Sequence, residues 1–395
     1  LWITDNDQDA VMAVVIFFQV NVLIITGVLV LGLTLKTTQR MWVLAAITLF
    51  LVGVISDFRL WFQFTHDTWF VLFALDVLIA WLAWGSPLSR WYTAALWGSF
   101  GGFCAMINPI VALIWGVASL ALMVRERAWR QFGVAALLAA VVLAPWTIRN
   151  YLVFGRLIPV KSNAAYELWQ SQCRQKEGLL HNFDGHPYVS GGPERREYKA
   201  VGEMAFVDKR RDMFWQSFRA DPLDYADRVA CRFLGATLWY VPFTPSDETR
   251  RPVMVWLSRA WHPLPFLALL VLGFSAIFQR LSWLQWTVMG MYVLYLMPYV
   301  AVSYYERYAA PLLSVKILLI LWAGDRILSL WPWWPWHQME DAVDAIEVPA
   351  AVEALPVADD EDIKQAPAKK PSAKPRPAAN VPVKKVVKPS RGEKP

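Results

Sequence analysis

Apolar residues along this chain run in long blocks, with little of the alternation or three-to-four-residue rhythm that marks a half-buried strand or a surface helix. A helix that crosses a bilayer requires ~20 mostly apolar residues. Blocks of about that length cover 10–34, 41–56, 69–85, 131–147, 263–279, 283–302 and 309–330. Another, 91–123, is too long for one helix and is interrupted at Asn108-Pro109. Proline lacks an amide donor and disfavours helix at the residue before it, so a hairpin break is expected there. Counting that block as two crossings puts Lys36, Arg40, Arg90, Arg125, Arg127, Arg130 and Arg280 on one side, while the short loops opposite hold only Arg59 and Arg307. Positive charge collects on the cytoplasmic side. The expectation is therefore an all-α polytopic membrane protein of about nine transmembrane helices, with the amino end outside and a cytoplasmic carboxyl end.

The expected order is six spans in 1–147, an extracytoplasmic loop domain over 148–260, three spans in 261–336 and a tail over 337–395. Within the loop domain, 194–219 reads as an amphipathic helix. Asp221-Pro222 starts a second, with Leu223, Ala226, Val229 and Phe233 spaced for one apolar face. The tail is acidic and then Lys/Pro/Ala-rich, too poor in apolar residues to offset its ordering entropy, and is expected to be disordered.

Composition sharpens this picture. The chain is 56% hydrophobic and 18% charged, with 23 Trp, 21 Phe and 13 Tyr in 395 residues, whereas soluble domains are about a quarter charged. A soluble enzyme, a disordered chain and a disulfide-built scaffold are excluded. The net charge of +6 belongs to residues 1–336, since the tail carries ten acidic and ten basic residues. That is the balance of positive membrane loops, and no stretch reads as a nucleic-acid surface. Of Cys104, Cys173 and Cys231, the last two share the loop domain, where one disulfide is an open alternative.

Polar residues at a membrane edge are candidates for function, each with a blander alternative. Asp67 can orient an acceptor hydroxyl or hold a divalent cation, and His66 can shuttle a proton; Asp67 or Thr68 can equally cap the following helix. Asp57 and Arg59 read as a local ion pair, and Asp76 as a buried hydrogen-bonded carboxyl. Arg149, at a membrane exit, has the planar fork that suits a lipid phosphate. Lys161 adds a second positive charge, and Asn150, Ser162 and Asn163 add hydrogen-bonding capacity; Trp146 and Tyr151 alternatively belong to an aromatic belt. Arg307 again offers phosphate geometry, with Glu306 to balance it and Tyr308 beside it. His181 and His186 lie five apart in a loop, a spacing that no helix face supports as a metal site.

The run PWTIRNYLVFGRLIPVKSNAAYELWQSQ, 145–172, resembles a signature of bacterial polyprenyl-phosphate-sugar glycosyltransferases of the multi-span GT-C fold, relatives of protein mannosyltransferases and lipid A aminoarabinose transferases. Arg90 to Pro109, Arg195 to Trp239 and Glu306-Arg307-Tyr308-Ala309-Ala310-Pro311-Leu312 are similar, in order, to further segments of that family, and together the likeness covers about residues 10–330. It implies a cell inner-membrane enzyme that takes sugar from a polyprenyl-phosphate donor held among membrane lipids. The acceptor would be a glycolipid, polysaccharide or protein, and no cofactor is required, with a divalent cation left open. By the same resemblance Arg149, Lys161 and Arg307 would contact the donor phosphate, and Asp67 would be an auxiliary acidic residue of an outer loop. The family's general base follows a first span that is not visible here. Asp5, Asp7 and Asp9 match no such motif, so a chain truncated before its catalytic loop is the expectation. A non-catalytic carrier-lipid binder or translocase is the alternative.

Overall fold

The computed structural model describes residues 8–59, 66–174, 177–181, 187 and 192–330. The tail, His186 and most of the loop before His66 lie outside them. The described residues are almost entirely helical and contain no strand. Helices α1 (Gln8–Thr37), α2 (Trp42–Gly53, continuing as a π turn, Val54–Phe58), α3 (Thr68–Trp84), α4 (Trp91–Ile107), α5 (Pro109–Glu126) and α6 (Trp129–Phe154) come first. A polar lobe follows, with α7 (Ala164–Trp169), α8 (Pro193–Val201), α9 (Glu203–Ala220), α10 (Pro222–Thr237), α11 (Asp247–Arg250) and α12 (Pro252–Trp261). The chain returns to the bundle as α13 (Leu264–Ser275), α14 (Trp283–Val302), a 3-10 turn (Glu306–Leu312) and α15 (Leu313–Ser329).

Four helical segments among the described residues are long and apolar enough to cross a membrane: Asp9–Thr37, Pro109–Glu126, Trp129–Phe154 and Pro252–Ser275. These are the helices of a membrane protein. The other expected spans fall short of that standard for physical reasons. Helices α3 and α4 have 17 residues each, a rise of only about 25 Å. Helix α15 is equally short and carries Lys316, Asp325 and Arg326, while the 20-residue α14 is rich in Trp and Tyr.

The break at Asn108 is present. Its backbone is extended, and its side-chain oxygen accepts from the Ile110 amide at 2.9 Å, capping α5. Helices α4 and α5 fold back on each other, since Trp97 Nε1 donates to Ser119 Oγ at 2.7 Å and Trp115 Nε1 to the Trp97 carbonyl at 3.0 Å. Helix α6 lies against α4, where Gly98 and Gly102 permit close approach. A Cβ on Gly98 would lie 2.1 Å from the Ala135 carbonyl oxygen, and one on Gly102 2.6 Å from Val142 Cβ. Such small-residue contacts let the two helix backbones approach closely. Gly98→Leu should therefore separate α4 from α6 and cost about 1–3 kcal/mol or more. Thermal unfolding of the detergent-solubilised variant checks this, and an unchanged midpoint would remove the contact from the account.

The bundle has two distinguishable ends. At one, Lys36 Nζ donates to the Ala83 carbonyl, Trp42 to Asp325, Trp322 to Thr37, and Arg125 lies over Trp283. At the other, α14 ends with open carbonyls that the polar lobe satisfies. Arg232 of α10, fully buried, donates to those of Val300 and Ala301; Tyr225 donates to Ala301 and Ser171 to Val302. Unmet carbonyls at a helix end need such partners, and here they fix the lobe on the bundle.

Several boundaries differ from the sequence expectation. Helix α6 does not stop at 147 but runs through Pro145 to Phe154, so Arg149, Asn150 and Tyr151 are helical. The single helix expected over 194–219 is two, α8 and α9, because Gly202 sits at φ +80° between them. Asp221 does cap α10, accepting from the Leu223 and Asp224 amides at 3.1 Å. Leu223, expected on its apolar face, is 75% exposed, whereas Val229 and Phe233 pack on the core. Cys173 and Cys231 are free thiols, so the disulfide left open above does not form. Asp76 is buried and accepts from Thr26 Oγ1 at 2.6 Å, as a lone carboxyl in an apolar helix must.

Candidate functional site

The last turns of α6 hold the backbone that follows them. Trp146 Nε1 donates to the Val160 carbonyl at 3.2 Å, Thr147 Oγ1 to Pro159 at 3.2 Å and Asn150 Nδ2 to Ile158 at 2.9 Å. On the other flank Ser162 donates to Glu203 at the start of α9. Lys161 sits between these anchors, so a charged residue on an irregular segment acquires a fixed position.

Lys161 Nζ lies 3.2 Å from Asp67 Oδ2, and Arg307 Nη2 lies 4.0 Å from Asp67 Oδ1. Three candidates separated by nearly the whole bundle in sequence thus meet at one end of it. Asp67 occupies the N-cap position of α3, yet its side chain makes no capping hydrogen bond; its two oxygens are turned to the two cations. His66 belongs to the same group: burial, and then the Arg307 charge, push its imidazole below the ordinary 6.5, with Asp67 opposing.

Arg307 rests on aromatic rings, with its guanidinium 5.2 Å from the Tyr305 ring centre and 5.8 Å from that of Tyr308. Tyr308 stacks on Tyr299 at 4.0 Å, and Tyr299 Oη accepts from Asn108 Nδ2 at 3.0 Å. The hairpin break, the end of α14 and the 3-10 turn are joined beneath the charges. Further down, an apolar groove of about 190 Å³ runs between α5 and α14, lined by residues that include Ile114, Ala118, Gly290 and Leu294. Leu294 is five residues before Tyr299, about 8 Å of helix.

Other candidates are placed differently. Arg149 is exposed, bonded to Asn150 Oδ1 at 3.0 Å and lying 5.2 Å over Trp146, so it does not share the Asp67 carboxylate. Asn150 is buried with its amide committed to the Ile158 carbonyl, an anchoring rather than a ligand-facing role. Asn163 donates to Glu167 at 3.3 Å. Glu306 does not balance Arg307. Successive residues of a 3-10 turn point about 120° apart, and Glu306 instead accepts from Tyr240 Oη. Nor do Asp57 and Arg59 pair with each other: Asp57 binds Lys316 at 2.7 Å, and Arg59 donates to the Met254 carbonyl and Ser258 at 3.3 Å.

Burial raises the Glu306 carboxyl from 4.5 to about 7, against the lowering effect of Tyr240 and Arg59. A carboxyl raised on folding stabilises the folded form below its unfolded value, and that stabilisation is lost as pH climbs through the folded value. The protein should therefore lose stability between pH 4.5 and about 7, and Glu306→Gln should remove that component from a pH series of unfolding midpoints. An identical slope in the variant would assign the effect elsewhere.

Two residues were not singled out in the sequence. Glu167 on α7 stands beside the cations. Burial raises its carboxyl, while the Asn163 amide and the Arg307 and Lys161 charges pull the other way. Its signal was present, a carboxylate six residues after Lys161 in the run that carries the family resemblance. Lys316 is the other, the one charged residue in the apolar first turns of α15. Among the described residues, no group of three or more His, Cys, Asp or Glu side chains is gathered to hold a metal ion.

Set against known protein families, characterised proteins and solved structures, the chain matches none.

Proposed function

We propose that this chain is a membrane glycosyltransferase that moves a sugar from a polyprenyl-phosphate donor to an acceptor on the extracytoplasmic face. The observation that carries the reading is the meeting of Lys161, Arg307 and Asp67 above an aromatic floor. The acceptor oxygen attacks the anomeric carbon, and the carbon–oxygen bond to phosphate breaks with its electron pair leaving on the phosphate. Lys161 and Arg307 neutralise that developing charge, as preorganised cations do at a departing anion. The acceptor's proton goes to a carboxylate, for which Asp67 is at hand, with Glu167 beside it. Ser162 and Asn163 flank the site, and the α5–α14 groove suits an isoprenoid chain.

The finer topology belongs to the same reading. Nine passes, with Lys36, Arg90, Arg125 and Arg280 on the cytoplasmic side, place the site at the outer surface of a bacterial inner membrane. Glycolipid, polysaccharide and protein acceptors all fit that placement. The test is transfer of labelled sugar from a polyprenyl-phosphate donor by the full chain in detergent or vesicles, compared with Lys161→Ala and Arg307→Ala. Donor binding without any transfer would favour a carrier-lipid binder or translocase instead.

A further inference from the structure

The Asp67 carboxylate spans the two cations with one oxygen apiece, 3.2 Å to Lys161 Nζ and 4.0 Å to Arg307 Nη2. An aspartate at a helix N-cap ordinarily turns its carboxylate back to the first amides. Asp67 has the position but not the bond. Its carboxylate is used on residues from two distant segments: Lys161, held by α6, and Arg307, on the turn before α15. A phosphoryl group offers the same pair of anionic oxygens, with stronger charge-assisted hydrogen bonds to an ammonium and a guanidinium.

From this we infer that Asp67 is a built-in competitor of the donor phosphate: the phosphate takes Lys161 and Arg307 from it, and the exchange releases the carboxylate into the site. The inference rests on the reading of Lys161 and Arg307 as phosphate contacts. Two features make the exchange workable. Asp67 and Lys161 are 38% and 41% exposed, and ion pairs so open to solvent are weak enough to be replaced. Arg307 remains seated on Tyr305 and Tyr308 whichever anion it holds. Donor binding would thus both fill the site and free the carboxylate beside the acceptor.

The experiment titrates the full-length protein in detergent micelles with a polyprenyl monophosphate, and in a second arm with inorganic phosphate. The variants are Asp67→Asn, Asp67→Ser, Glu167→Gln, Lys161→Ala and Arg307→Ala. Asn and Ser both keep N-cap chemistry, so at least one should fold with the wild-type unfolding midpoint. Removing the competitor should tighten phosphate binding ~5-fold while sugar transfer falls. Glu167→Gln sets the scale for deleting a nearby negative charge that does not bridge the cations, and the Asp67 variants must exceed it. A gain with the lipid alone assigns the exchange to the membrane-held phosphate; a gain with both ligands assigns it to the phosphoryl group. Either supports the competitor. Asp67 variants that bind like wild type, or gain no more than Glu167→Gln, overturn it. If Lys161→Ala and Arg307→Ala bind as wild type, the phosphate site itself is wrong, a failure separable from that of the exchange.

Discussion

Arg307→Ala is expected to lower sugar transfer by ~10²–10³-fold, the effect of removing one preorganised donor from a charge that develops in the transition state. Three features make Arg307 the stronger of the two cations. Its side chain is 15% exposed against 41% for Lys161, so less solvent screens it. Its guanidinium is held on the Tyr305 and Tyr308 rings, and those rings are tied through Tyr299 and Asn108 to the hairpin break between α4 and α5. It also offers a planar fork to a phosphate, where a lysine offers one mobile point charge. Arg307→Lys should accordingly recover only part of the loss, and Lys161→Ala should fall less steeply than Arg307→Ala. Single-turnover transfer at saturating donor separates chemistry from binding. Arg307→Ala within ~3-fold of wild type in that measurement would remove the leaving phosphate from its neighbourhood.

The members of this site were legible one at a time, because each carries a charge beside an apolar block. Asp67, Lys161 and Arg307 could each be marked from polarity at a membrane edge or from family resemblance. Their convergence on one carboxylate could not, since nothing in the spacing of 67, 161 and 307 specifies which helix ends lie together. Local rules did well where one residue decides the backbone, as at Asn108-Pro109 and Asp221-Pro222. They failed where neighbours override the signal. The span expected over 131–147 continues as helix to Phe154, its last turns anchored through Trp146, Thr147 and Asn150 to the 158–160 backbone. Glu306 and Arg307, adjacent in sequence, were expected to pair, but the 3-10 turn sends them to opposite partners. Asp57 and Arg59 were mispaired for a related reason: a partner 259 residues away was out of view of any local rule.

That partner leads to the largest stability effect expected in the molecule. Lys316 and Asp57 are paired at 2.7 Å with side chains only 4% and 12% exposed, and Trp261 Nε1 adds a longer contact to the carboxylate at 3.4 Å. Removing one member of such a pair leaves the other charge buried without compensation, at a cost of about 3–5 kcal/mol, whereas replacing both by neutral groups of similar volume costs far less. Lys316→Met should therefore destabilise the bundle more than any single change at the exposed Asp67–Lys161 contact, where exposed pairs contribute about 0.2–1 kcal/mol. Adding Asp57→Asn to Lys316→Met should restore much of the loss. The pair joins the π turn at the end of α2 to the first turn of α15, immediately after the 3-10 turn that carries Arg307, so its failure would also disturb the position of that cation. Unfolding midpoints of the wild type, both single variants and the double variant form a complete cycle. A double variant whose loss equals the sum of the two single losses would show that Asp57 and Lys316 contribute independently, and the α2–α15 junction would then have to be explained by packing alone.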